Sequence, residues 1–522
     1  MIQRRLYIYI VAAASLAMLL IGLVNLGTTA LDQLFRATPL YTNPRDSYAG
    51  FGAVTLVGLP VWGIHWWIAQ RLTRRNLDDR ASALRRLYIY AVLAATGVAT
   101  AIFARGFLEH AAGFLLVASN DWPSIARALW SALVLFGFWL YHFRTAAVDR
   151  TIAAESGNSA TLRRWYAYGL LLLGLAFLLF GARNLLQQVW ILLVDRSDTI
   201  VPGGLVPSAA ATMVTGLVVF GFHLQWTSRA PVAADDRPSI LRAVQGFLAL
   251  TASVALALFG ASQLSYYALA RVLGIEHPGG VGSSILVAVA GPVATVLVFS
   301  LAWLWIRRQL AADAGDVEAA RQAGVRHLYT HLVAFLALAT LAIGAAGLLW
   351  TISDQLLNGW LNPPVGEWRD KISLFITLML VGAPMWLGHW RASPAADERY
   401  TLSRRLYLYA SLLGSVLAAL IAGAVFVYRL LALVLGTSDA AAGAPLVDMG
   451  KAASVIAVAA ALGLYHWHAL RSDSATRPVP VPRRAVIDRD VHLIITGASE
   501  DEVRRLLGGL PEGASYSIEA PK

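Results

Sequence analysis

Five histidines occupy matching places in this chain: His65, His142, His223, His389 and His466. Each closes a long apolar run inside an aromatic cluster, GLPVWGIHWW, FGFWLYHF, FGFHLQW, GAPMWLGHW and GLYHWH in turn. Each follows, by 57 to 63 residues, a short basic and aromatic stretch: RRLYIY from Arg4 and again from Arg85, RRWYAY from Arg163, RHLYTH from Arg326 and RRLYLY from Arg404. If the chain crosses a membrane and returns in that interval, Tyr7, Tyr88, Tyr166, Tyr329 and Tyr407 lie at the same depth as the histidines. A neutral imidazole offers one donor and one acceptor, and a phenol offers both. Their meeting would satisfy two groups that are costly to isolate in apolar surroundings. The spacing favours that structural pairing. Haem ligation and proton sensing are the alternatives. Against haem, no helix carries paired histidines at a spacing fit to hold two stacked rings. With no Cys in the chain, thiolate catalysis, Cys-ligated metals and disulfides are excluded. The expectation is no metal and no cofactor.

Two further residues stand inside apolar runs. Arg105 and Arg183 each come 20 residues after an Arg-rich start, and Glu109 follows Arg105 at i+4. They would either snorkel to the outer headgroups or line a site for an anionic ligand. No Asp or Glu falls at the middle of an apolar run, which weighs against a proton- or sodium-coupled pump. No phosphate loop, zincin motif, nucleophile elbow or kinase signature occurs, so no enzyme is expected.

The elements that must position these residues follow from composition and periodicity. The 522 residues are 57% hydrophobic and 14% charged, with a mean hydropathy of +0.60. That is the balance of a membrane protein. The net charge of +11 is spread in small groups beside apolar segments, as expected next to anionic headgroups. Membrane lipids, together with a partner chain or second copy of this chain, are therefore the expected partners, and nucleic acid is not. The Arg-rich starts recur at 81 and 78 residues, then after a gap of 163, then at 78 again. The long gap hides a degraded copy beginning near Leu241. Six copies result, at residues 1–80, 81–158, 159–238, 239–320, 321–398 and 399–472, each with two apolar segments long enough to span. Twelve crossings follow, the first an uncleaved span and not a signal peptide. Basic residues concentrate on the side of the termini, which the positive-inside rule places in the cytoplasm.

The starts themselves read as anchors, Arg to headgroups and Tyr in the aromatic belt. Pro60, Pro292 and Pro384 are expected inside second helices. The outer connections 29–46, 184–206 and 351–369 suit short helices along the membrane surface. Asp32-Gln33-Leu34 and Asp354-Gln355-Leu356 share one offset from their starts, which argues for duplication. A linker at 473–487 leads to a tail at 488–522, read as strand (491–496), helix (500–508, capped by Ser499 and Glu502) and strand (516–519). The fold class expected is thus an all-α integral membrane protein of about twelve transmembrane helices in six two-helix repeats, with a small α/β cytoplasmic tail.

The Arg-Arg-x-Tyr-x-Tyr start followed by two helices resembles a bacterial membrane domain of unknown function that occurs in tandem. The likeness covers five copies and fails at the fourth, which lacks the Arg-Tyr start and the histidine. It supports the repeat count and brings no known activity; the location expected is a bacterial inner membrane. For function, a small-molecule or ion transporter is weakly favoured over a structural, assembly or sensory subunit. A continuous polar cavity would favour the former and a dry packed bundle the latter.

Overall fold

The computed structural model describes residues 2–36, 43–117, 121–194, 205–229, 232, 236–237, 239–278, 284–314, 320–361, 368–391, 400–436, 443–475 and 499–507. Six first helices alternate with six second helices. The first helices are α1 (Ile2–Leu34), α3 (Ala83–Val117), α5 (Gly157–Val194), α7 (Ile240–Val272), α9 (Ala320–Leu361) and α11 (Leu402–Leu435). The second helices are α2 (Pro44–Arg75), α4 (Trp122–Ile152), α6 (Val206–Thr227), α8 (Ala290–Ala314), α10 (Trp368–Arg391) and α12 (Gly443–Ala475). All twelve hold a stretch long and apolar enough to cross a membrane. The chain forms two units, Met1–Asp473 and Ser474–Lys522.

Local chemistry fixes where these helices start and stop. Asn43 accepts from the Arg45 N–H ahead of α2, with Pro44 in the first turn where its missing N–H is no loss. Asp121 does the same for Ser124 ahead of α4. Gly436, at a φ of 63°, ends α11 in the left-handed conformation. Pro60 and Pro384 lie inside α2 and α10. Pro292, by contrast, stands in the first turn of α8, so no interior kink is asked of it. The outer connections also differ from expectation. Residues 29–34, 184–194 and 351–361 continue α1, α5 and α9 as spanning helix. With 33 to 42 residues, these helices extend past a hydrocarbon core of about 30 Å.

Consecutive helices pack as antiparallel pairs, α1 with α2 through α9 with α10. In addition, the first helix of each copy packs on the second helix of the next: α1 on α4, α3 on α6, α5 on α8 and α7 on α10. Lipid is as apolar as Leu, so backbone proximity has to come from small residues. A Cβ on Gly58 would stand 2.8 Å from the Leu19 backbone nitrogen, and one on Gly382 2.7 Å from that of Leu341. These two glycines, each two residues before Pro60 or Pro384, let the pairs of copies one and five touch backbone to backbone. At the end of the bundle where α1 begins and α12 ends, called proximal here, first-helix starts meet second-helix ends.

The α/β reading of the tail is corrected. No β-strand occurs among the described residues, and the class of the protein is all-α. The stretches 491–496 and 516–519 lie outside the described residues. What is described of the second unit is α13 (Glu500–Leu507). Its support is local: the Glu502 carboxylate accepts from the Ser499 N–H at 2.9 Å and from its hydroxyl at 2.8 Å. Those bonds hold the Glu502 carboxyl below its ordinary range, so the cap is present with the carboxylate charged and is lost as pH falls. Two strands of four and six residues have no comparable local support.

The alternation makes a direct prediction. The chain contains no Cys, so single cysteines need no background removed. Cysteines replacing the exposed Asp46 and Trp122 should react with an impermeant maleimide from one side of sealed vesicles. Those replacing the exposed Asp78 and Ser156 should react from the other. Labelling of Asp46→Cys and Asp78→Cys from the same side would refute the topology.

Candidate functional site

Each described histidine of the belt turns its Nδ1 to the carbonyl four residues before it. The contacts are His65 to Val61 (2.8 Å), His142 to Phe138 (2.8 Å), His223 to Val219 (2.8 Å), His389 to Met385 (3.0 Å) and His466 to Leu462 (2.7 Å). A carbonyl only accepts, so Nδ1 carries the hydrogen and Nε2 is left as acceptor. In three copies a first-helix tyrosine donates to that Nε2: Tyr88 to His142 at 3.5 Å, Tyr166 to His223 at 3.2 Å and Tyr407 to His466 at 3.0 Å. A tryptophan from the preceding copy completes each contact by donating to the phenol oxygen. Trp62 donates to Tyr88 at 3.1 Å, Trp139 to Tyr166 at 3.0 Å and Trp386 to Tyr407 at 2.8 Å. Tyrosine and histidine join the two helices of one copy, and tryptophan joins that copy to the one before.

The other two sequence-matched pairs are brought together without this bond. Tyr7 meets His65 edge-on, ring centroids 5.7 Å apart, and Tyr329 meets His389 at 6.1 Å. Copy four supplies Trp303 but has Ile306 three residues on, buried where the other copies carry histidine. With both imidazole nitrogens engaged in copies two, three and six, a metal at Nε2 would have to displace a phenol.

Arg105 and Arg183 reach between copies. The Arg105 guanidinium donates to Thr212 at 2.9 Å and Ser208 at 2.8 Å, both on α6, and pairs with Glu109 at 3.0 Å. Arg183 donates to Thr295 on α8 at 3.1 Å and to the neighbouring Asn184 at 2.8 Å. Equivalent distal contacts occur at the remaining joins. Asp32 of copy one accepts from Arg127 of copy two at 2.7 Å, and Asp354 of copy five pairs with Lys451 of copy six at 2.9 Å. This explains why the two Asp-Gln-Leu segments share an offset. Between copies four and five, Tyr266 donates to Asp370.

Four of the five Arg-rich starts form ion pairs and are not headgroup anchors. Arg85 Nε lies 2.6 Å from Asp149, both side chains almost wholly buried. Arg163 and Arg164 share Asp236 at 2.6 and 2.7 Å, Arg5 pairs with Asp79 at 2.5 Å, and Arg404 with Asp473 at 2.8 Å. Copy four keeps the pair as Arg242 with Asp313, two contacts of 2.7 Å. Glu155 stands between copies two and three, 3.2 Å from Arg86 and 3.7 Å from Arg163. Those nitrogens of Arg86 and the Glu155 Oε2 atom are buried without a hydrogen bond, so this bridge acts by charge more than by directed bonding. The signal in the sequence is an acidic residue in the last turn of a second helix or shortly after it: Asp149, Asp313 and Asp473 lie in the last turn, Asp79 and Asp236 beyond it. An acid near a polar connection looks solvated, which hides it.

A cavity of about 510 Å³ opens between α7, α9 and α10, at the join of copies four and five. Ser262, Gln263, Tyr266 and Asp370 line its distal end, Thr377 its middle, and apolar side chains most of the rest. A second cavity, about 310 Å³ and lined by small apolar residues and two serines, lies between α9, α11 and α12.

Three segments of the chain, residues 5–129, 164–288 and 327–461, match the family described as Domain of unknown function (DUF5671). Together they cover well over half of the sequence. The chain belongs to this family. No curated protein matches it, and no solved structure does. The DUF5671 matches begin at the starts of copies one, three and five, so each takes in first, second and first helix, and the first and third matches also take in the opening of one more. The family unit is therefore longer than one two-helix copy. The contacts follow the same grouping: the first and third DUF5671 segments share the Trp–Tyr bond, whose histidine acceptor lies beyond each match, the carboxylate–base distal contact and the close glycine. The middle segment holds Tyr166 and His223 together and uses Arg183 for its distal contact.

Two substitutions separate the kinds of contact in a DUF5671 chain. Asp149→Asn leaves Arg85 buried without its carboxylate and should cost about 3–5 kcal/mol. Tyr166→Phe strands the Trp139 N–H and the His223 Nε2 together and should cost about 1–3 kcal/mol. The readout is the unfolding midpoint in detergent. An Asp149→Asn protein as stable as the parent would show that the arginine is solvated after all.

Proposed function

We propose that the protein carries a small apolar or amphipathic molecule within the membrane, and that the molecule lodges between α7, α9 and α10. The 510 Å³ cavity carries this reading, since its volume falls among those of small-molecule sites. From Thr251 to Tyr266 it follows α7 for about 22 Å at 1.5 Å per residue, much of a hydrocarbon depth of about 30 Å. Its largely apolar lining suits such a cargo better than an ion. Thr377 on its wall has a buried hydroxyl without a hydrogen-bond partner, a group that a cargo with an acceptor would satisfy.

The place of the cavity supports the same reading. On one side, copies one to three are tied by two Trp–Tyr–His chains. On the other, copies five and six are tied by one. The cavity lies where the chain of contacts is interrupted, between two bonded groups of helices. Carriers commonly hold substrate between two bundles that move against each other. A structural, assembly or sensory subunit without transport or catalysis is the second reading, and the bonded joins at both ends of the bundle favour it. The concentration of basic residues supports a cytoplasmic proximal face, in the inner membrane of a bacterium.

In proteoliposomes the parent chain should speed movement of at least one fluorescent amphiphile, from a set of cationic, neutral and anionic ones, between the leaflets. Ala255→Phe, which fills the cavity from an exposed position on α7, should slow it about tenfold, a loss equivalent to about 1.4 kcal/mol. Its unfolding midpoint should stay with the parent's. A parent protein that moves none of the set would overturn the carrier reading.

A further inference from the structure

Resting on the reading of this cavity as a ligand site, we infer that its ligand is a single-chain amphiphile with a cationic, hydrogen-bond-donating head, of the alkylammonium class. The inference starts from the segregation of its lining. Along α7 the wall runs from Val254 and Ala255 through Leu258 and Phe259 to Ser262, Gln263 and Tyr266. Along α10, which runs the opposite way, it passes from Asp370 through Leu374 and Leu378 to Met385. Both helices thus place their amide, phenol and carboxylate groups at the distal end, and the shaft is apolar apart from three threonines, of which Thr251 and Thr340 return their hydroxyls to their own helices and Thr377 does not. A cavity divided in this way matches a molecule divided in the same way, with a polar head at the distal mouth and a chain reaching toward the proximal side.

Charge then selects the head. Among the described residues, Asp370 is the one charged group on the lining. Its neighbours Arg369 and Lys371 are cationic, but successive residues on a helix point about 100° apart. The Arg369 guanidinium stacks over the Trp368 ring at 5.5 Å and stands beside Gly274, away from the cavity wall. Asp370 already accepts from the Tyr266 hydroxyl. A carboxylate has about four lone-pair sites, so one such bond leaves capacity for a further donor. An ammonium beside it would make a charge-assisted bond, and Asp370, exposed in the first turn of α10, is open to it at the mouth. A sulfate or carboxylate head would face the same Asp370 with like charge. An uncharged head would forgo the Coulombic part.

The experiment uses the full chain in phosphatidylcholine nanodiscs, with dodecylamine bearing a diazirine at the end of its chain. Saturable photolabelling is expected on peptides of α7 and α10. Excess dodecylamine should displace it, while dodecanol and dodecyl sulfate at the same concentration should not. Asp370→Asn should weaken labelling about tenfold and remove the preference for the amine. Tyr266→Phe keeps the carboxylate and should keep the preference. Equal competition by dodecanol or dodecyl sulfate, or an Asp370→Asn protein that still prefers the amine, would overturn the ammonium assignment while leaving the cavity as a ligand site. If labelling is displaced by none of the three amphiphiles, lipid alone fills the groove, and both the assignment and the cavity reading fall.

Discussion

A guanidinium taken out of water must find a carboxylate, and the proximal end of this bundle is organised by that requirement. Removing two charges from solvent costs more than most contacts return, so a buried pair tolerates few alternatives to its own geometry. In lipid, moreover, apolar helix faces gain little by choosing one another over acyl chains. Specificity has to come from the groups lipid cannot satisfy. Arg85 with Asp149, Arg163 with Asp236, Arg242 with Asp313 and Arg404 with Asp473 each join the start of one helix to the end of the next. Every such pair closes a two-helix unit. Copy four, which lost tyrosine and histidine, kept this one contact.

Once the units are closed, the joins between them need little more. The proximal joins use Trp N–H and Tyr O–H, groups with an apolar body and a polar tip. Distal joins use whichever polar pair lies to hand: carboxylate with base, arginine with hydroxyls, or phenol with carboxylate. The chemistry varies while the geometry repeats, because a join needs only satisfied partners at a fixed depth. Where the proximal partners are missing, between copies four and five, the same backbone arrangement leaves room inside it.

Much of this was legible in the residues. Apolar runs of spanning length and the recurring Arg-Tyr starts specify twelve crossings, and the similar interval from Tyr to His, 54 to 60 residues, places those rings at one depth. Three kinds of information were not legible. Asp79, Asp149, Asp236, Asp313 and Asp473 follow their arginines at separations from 64 to 74 residues, too variable to read as a spacing, and they sit in or near polar helix ends where an acid is unremarked. Trp62, Trp139 and Trp386 stand in aromatic clusters, where an interfacial ring and a directed donor use the same residue at the same depth. The tail misled for a different reason. Short alternating segments read as strands, yet alternation over four to six residues carries little weight when no partner strands are in view.

The direction of hydrogen bonding in the Trp–Tyr–His rows has an electrical consequence. Each row runs one way: indole N–H to phenol oxygen, phenol O–H to imidazole Nε2, imidazole Nδ1–H to a helix carbonyl. A proton wire must be reversible, each member taking a hydrogen on one side and releasing one on the other. Indole has no acceptor nitrogen and a peptide carbonyl has no hydrogen to pass on. Both terminals of every row are therefore blocked. Aromatic groups that look like a relay at the proximal end of the bundle thus form rows with no terminal group able to hand a proton on along the row.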